Sequence, residues 1–149
     1  MAEYAKRISI GQIKDDLADY GFYLTHGKKQ RENIKRIEMQ MTSVKGMHYS
    51  PVPASGGGSR QEDRLVDLIM RKDKLKRDLE EGEQLEEEFE SYFKSMDPME
   101  VDIIKTLWVY HERDGVRVLS DRYNYSVSNI YHISDRSLST IARMRYGVK

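Results

Sequence analysis

The stretch Val116-Arg117-Val118-Leu119-Ser120-Asp121-Arg122-Tyr123-Asn124-Tyr125-Ser126-Val127-Ser128-Asn129-Ile130-Tyr131-His132-Ile133 decides the fold of the C-terminal third. Its apolar positions are Val116, Leu119, Tyr123, Tyr125, Ile130 and Ile133, continuing to Leu138 and Ile141, with small Ser120 between Leu119 and Tyr123. This spacing predicts a short helix over 117–123, closed by Asn124. Asparagine is the best non-glycine residue for the left-handed conformation that a tight helix–helix turn requires. Ser126 then caps a second helix over 126–144. A short helix, a left-handed turn residue and a capped second helix together make a helix-turn-helix. At 100° per residue, Ile130, Ile133, Ser137 and Ile141 face inward. Ser128, His132, Asp135 and Arg136 face outward, flanked by Asn129 and Tyr131.

Upstream, Asp97-Pro98-Met99-Glu100 opens a helix with Asp as N-cap, Pro at the first position and Glu at the third. Val101, Ile104, Leu107 and Trp108 form its apolar stripe, which ends near Arg113-Asp114-Gly115. Before it, residues 61–96 read as one long helix, about 50 Å at 1.5 Å per residue. In a heptad frame its a positions are Leu65, Lys72, Leu79, Glu86 and Phe93, and its d positions Leu68, Leu75, Gly82, Phe89 and Met96. Lys72, Gly82 and Glu86 interrupt a parallel zipper, so an antiparallel hairpin fits the sequence better. Residues 50–60, with Pro51, Pro53 and Gly56-Gly57-Gly58, have the composition of a flexible linker. Residues 1–49 read as two helices. The first is capped by Ser9, carries Ile10, Ile13, Leu17 and Tyr20 on one face, and stops at Gly21. The second runs over 28–44, with Ile34, Ile37, Met41 and Val44 opposite a basic face of Lys28, Lys29, Arg31, Lys35 and Arg36. The expected fold is all-α: an N-terminal helical hairpin or coiled-coil region, then a helix-turn-helix bundle over 97–149.

The chain has 149 residues, 25 basic and 25 acidic, for a formal charge of zero. That balance does not announce a nucleic-acid binder, so local patches must. Residues 111–149 supply one, with seven basic and four acidic side chains. Between Asp78 and Glu90 lie eight acidic residues and no basic one, which by itself reads as a solvated helix face. The absence of cysteine excludes disulfides, thiol nucleophiles and thiolate metal sites. No run is long and apolar enough for a membrane span, and the first residues lack the apolar stretch of a signal peptide.

The segment Val116-x-x-Leu119-Ser120-x-x-Tyr123-Asn124-Tyr125-Ser126-x-x-x-Ile130-x-x-Ile133 resembles the helix-turn-helix of sigma-factor region 4, where the turn residue is usually glycine. With the preceding helix and the linker-bearing helical N-terminal half, the chain is similar to ArpU/RinA-like regulators of phage late genes. The resemblance implies a cytoplasmic regulator in a bacterial host cell that binds double-stranded DNA, with host RNA polymerase as a possible partner. The second helix would enter the major groove. Ser128, Asn129, Tyr131, His132, Asp135 and Arg136 would read bases. Arg113, Arg117, Arg122, Ser126, Arg143 and Arg145 would hold phosphates. Dimerisation through residues 28–96 would supply a second half-site.

Other chemistry finds little footing. His26, His48, His111 and His132 form no pair at metal-ligand spacing, and Gly56-Gly57-Gly58-Ser59 lacks the Lys of a phosphate loop. No Gly-x-Ser-x-Gly elbow occurs, so neither an enzyme nor a cofactor or metal is expected. Two rival readings stay open. One is a small terminase-like DNA-packaging subunit. The other is an interaction protein whose acidic 78–90 face engages a basic partner and modulates transcription.

Overall fold

The structure is a computed structural model that describes residues 2–46 and 57–147. Among these every regular element is helical, so the all-α class holds. Helix α1 spans Ala2–Gly46, α2 Gly57–Phe93 and α3 Pro98–Ile104, which continues as a π-helical turn over Lys105–Val109; α4 spans Gly115–Tyr123 and α5 Val127–Tyr146. No helix among the described residues is long and apolar enough to cross a membrane. The chain forms two compact units, one of Thr25–Glu81 and one joining Met1–Leu24 to Gly82–Lys149.

In the unit Thr25–Glu81, the two helical segments run antiparallel. Lys72 Nζ meets Glu38 Oε1 at 3.3 Å, while Arg64 shares a cleft with Arg36, Met39, Gln40, Ser43 and Val44. Ile34, Val44, Leu68 and Leu79 are buried, and Leu65 and Leu75 half-buried. Lys72 therefore keeps its seam position by pairing its ammonium with a carboxylate on the facing helix. The basic side chains Lys28, Lys29, Arg31, Lys35 and Arg36 are exposed, as the periodicity predicts.

In the other unit, Ile13, Leu17 and Tyr20 of α1 pack with Phe89 and Phe93 of α2, Ile104 and Val109, and Leu138, Ile141 and Ala142 of α5. Tyr20 stacks on Phe89 with ring centroids 5.9 Å apart, and Phe93 stacks on the same ring at 6.2 Å. A second cluster joins Ile103, Leu119, Ile130 and Ile133. Helix α5 thus belongs to both cores. Its first half is held by α3 and α4, and its second half by the paired ends of the long helices. Ser134 and Ser137 are buried where α5 approaches α3. Ser134 Oγ accepts from Trp108 Nε1 at 2.8 Å, and Ser137 Oγ donates to Glu100 at 3.2 Å.

The helices differ locally from what the periodicity predicts. The two helices expected within residues 1–49 are one among the described residues, because α1 is continuous from Ala2 to Gly46. Ser9 lies inside it and donates its hydroxyl to the Ala5 carbonyl instead of capping. Gly21 is not a stop. It is buried mid-helix, where an added Cβ would collide with the Val109 carbonyl and lie 2.8 Å from its carbon. Gly82 plays a similar part, since the ring of Tyr23 occupies the space of its missing side chain. Gly57–Arg60, assigned to the linker, already belongs to α2. The rest of that linker, with Pro51 and Pro53, lies outside the described residues, as does His48.

The acidic run also differs from a purely solvated face. Glu88 and Glu90 are half-buried. Glu90 accepts from the Tyr20 hydroxyl at 2.6 Å and pairs with Lys105 at 3.3 Å. Burial alone would raise its carboxyl, but the Tyr20 hydrogen bond and the Lys105 charge hold it below the usual range. Burial and the hydrogen bond to Glu88 push Tyr92 up to about 12.

Candidate nucleic-acid interface

The turn between α4 and α5 is built by three short side chains. Asn124 adopts φ 56°, ψ 42° and closes α4 with its N–H on the Ser120 carbonyl. The Tyr125 N–H reaches the same carbonyl at 3.1 Å, and the Ser120 hydroxyl donates to the Tyr125 carbonyl. Ser126 is extended, and its Oγ accepts from the Asn129 N–H at 3.1 Å to cap α5. A left-handed residue between two helices, with both ends capped, sets the helix-turn-helix geometry. Asn124 and Ser126 hold the roles their types predict, whereas the double role of Ser120 was not legible. Tyr125, counted among the apolar positions, is exposed at the turn.

On α5, Ile130, Ile133, Ser137 and Ile141 are buried. Ser128, Tyr131, His132, Asp135 and Arg136 are exposed and Asn129 half-buried. Among the described residues none of these six side chains takes an intramolecular hydrogen bond or ion pair. The outer row is therefore available to a partner, and Asp135 and Arg136 form no ion pair with one another.

The cations divide into two groups. Arg113, Arg117 and Arg143 are exposed and carry no internal ion pair among the described residues. Arg122 and Arg145, expected to hold phosphates, are already occupied. Arg122 Nη1 binds Asp102 at 2.6 Å, alongside the Tyr123 hydroxyl on the same carboxylate oxygen. Arg145 pairs with Asp16 through one terminal nitrogen and with Glu88 through Nε at 2.7 Å, and its side chain is only 16% exposed. It is a packing residue that ties α5 to the long helices. The Ser126 hydroxyl is likewise engaged as a cap. Burial favours a raised Asp102 carboxyl, but the hydrogen bonds from Tyr123 and Arg122 outweigh it and lower the group.

Asp102 and Glu90 are both lowered, so both stabilise the fold at neutral pH. That contribution is present above their unfolded values, about 3.9 and 4.3. It is lost as pH falls through those values toward the lower folded ones. Urea midpoints between about pH 7 and 3 should fall most steeply in that acid range. Asp102→Asn and Glu90→Gln should each lower the neutral-pH midpoint and flatten the slope. An unchanged slope in both variants would contradict these pairings.

Val127, absent from the expected base-reading set, is exposed at the first position of α5. With Tyr131 it lines a shallow depression that also includes Val116, Leu107 and Arg117. The sequence signal for it is an apolar residue four before Tyr131, outside the stripe Ile130, Ile133 and Ile141. Among the described residues no group of three or more His, Asp or Glu side chains could hold a metal ion. No protein-family model matches the chain, and neither a curated protein nor a solved structure shows a significant match.

Proposed function

We propose that this chain is a sequence-specific DNA-binding transcriptional regulator of phage or prophage type, which reads the major groove with the first half of α5. The observation that carries this reading is the outer row Ser128, Asn129, His132, Asp135 and Arg136. It stands on a helix-turn-helix whose turn is capped on both sides, and its side chains make no internal hydrogen bond or ion pair among the described residues. In the groove, Arg136 would take the O6 and N7 acceptors of guanine, Asn129 an adenine edge, and Asp135 the N4 donor of cytosine. Arg113, Arg117 and Arg143 would hold phosphates, which position the protein without reading sequence.

One such face carries few cations, so a single copy binds weakly. Two copies joined through residues 28–96 would engage two half-sites and raise the affinity. Val66, Ile69 and Met70, exposed on one side of α2, favour such a contact.

Selection from a random duplex library, followed by anisotropy on the selected and scrambled duplexes at about 50 and 200 mM salt, tests the reading. An enriched motif whose preference survives the higher salt supports it. Absence of any preference overturns it. Arg136→Ala should cost about 1–3 kcal/mol on the selected duplex and relax preference at one base pair. Arg117→Ala should weaken all sequences alike and reduce the salt slope by about 1. Arg122→Ala is the poorer phosphate probe, because it also strips Asp102 of its partner. Equal losses on selected and scrambled DNA for Arg136→Ala would remove its base-reading role.

A further inference from the structure

We infer that α5 reads thymine: Val127 and Tyr131 form an apolar face whose partner in the major groove is the thymine C5 methyl. The inference rests on the DNA-binding reading above. Val127 is 46% exposed and Tyr131 51%. They lie four residues apart on one helix, so they are neighbours on the same face. Neither belongs to the core beneath α5, which is filled there by Ile130 and Ile133.

Single exposed apolar residues are ordinary on any surface. These two adjoin one depression and flank the unpaired polar row of the same helix turns. Base edges in the major groove present hydrogen-bond donors and acceptors throughout, and the thymine methyl is their one apolar group. Charge narrows the occupant further. Arg117 lines the depression, but so do Glu112 and Asp114. Two carboxylates disfavour a phosphate directly over it, whereas an uncharged methyl group meets no such penalty. The DNA backbone therefore passes on the Arg117 side, and thymine methyls pack on Val127 and Tyr131.

The test uses the full chain and the duplex it selects, replacing each thymine in turn by deoxyuridine, which lacks only the methyl. Loss of about fourfold in affinity per contacted methyl is expected, the worth of one buried methyl-sized group. Val127→Ala should abolish the sensitivity at one position and Tyr131→Ala at a neighbouring one, with the salt slope unchanged. Circular dichroism and the fluorescence of Trp108, bonded to Ser134 on the inner face of α5, confirm that both variants are folded. Three outcomes overturn the thymine inference while leaving DNA reading intact: a selected site without thymine, indifference to deoxyuridine at every position, or equal sensitivity in wild type and both variants. No sequence preference by the wild type overturns both.

Discussion

Gly21→Ala is expected to destabilise the protein by about 3 kcal/mol, the upper end of what overpacking a filled site costs. The usual sign is the opposite, because alanine in a helix interior is favoured over glycine by about 1 kcal/mol. The reversal comes from one contact: the new Cβ would enter the space of the Val109 carbonyl, which is backbone and cannot rotate aside. Val109 closes the π-helical turn Lys105–Val109, where the Tyr110 N–H bonds back to the Lys105 carbonyl at 2.9 Å. Moving that carbonyl would disturb Ile104 and Val109 in the larger core. Gly11 provides an internal control. Nothing lies within 4 Å of a Cβ built there. Gly11→Ala should therefore stabilise by up to about 1 kcal/mol. Urea unfolding of the two variants reads both signs at once. Equal midpoints for Gly21→Ala and the wild type would rule out the close approach of α1 to the π-helical turn.

Arg145→Met should cost about 2–3 kcal/mol, below the range for a fully buried pair because the partners retain some solvent. The guanidinium bridges Asp16 of α1 and Glu88 of α2 and lies 5.6 Å from the centroid of the Phe89 ring. Methionine keeps much of the packing but leaves two half-buried carboxylates without their cation. Adding Asp16→Asn and Glu88→Gln should recover much of the loss, since no uncompensated charge then remains. Arg145→Lys should fall between, because an ammonium cannot reach both carboxylates with the fixed fork of a guanidinium. Urea midpoints across the set decide the matter. A wild-type midpoint for Arg145→Met would return Arg145 to the pool of surface cations available to phosphate.

Both residues take their roles from groups distant in the chain. Gly21 follows a regular apolar stripe, where glycine by its type predicts a helix end. What makes it something else is the backbone of Val109, 88 positions later in the chain. Arg145 lies in a basic C-terminal segment, which predicts a phosphate contact. Its partners, Asp16 and Glu88, come from two other helices. Arg122 likewise has a partner that no local pattern shows, Asp102, 20 positions upstream.

What the sequence determined by itself is whatever depends on neighbours a few positions apart. The buried faces of Ile13, Leu17 and Tyr20 and of Ile130, Ile133 and Ile141 follow from helical period. The caps Asp97 and Ser126 and the left-handed Asn124 follow from the short reach of their side chains. So does the outward row on α5, which is the complement of its buried stripe. Tertiary structure alone decided which charges are spent inside the molecule, which glycines admit another element, and that α5 is clamped by two cores at once. Each of these is a meeting of groups far apart in the chain, and no local propensity encodes such a distance.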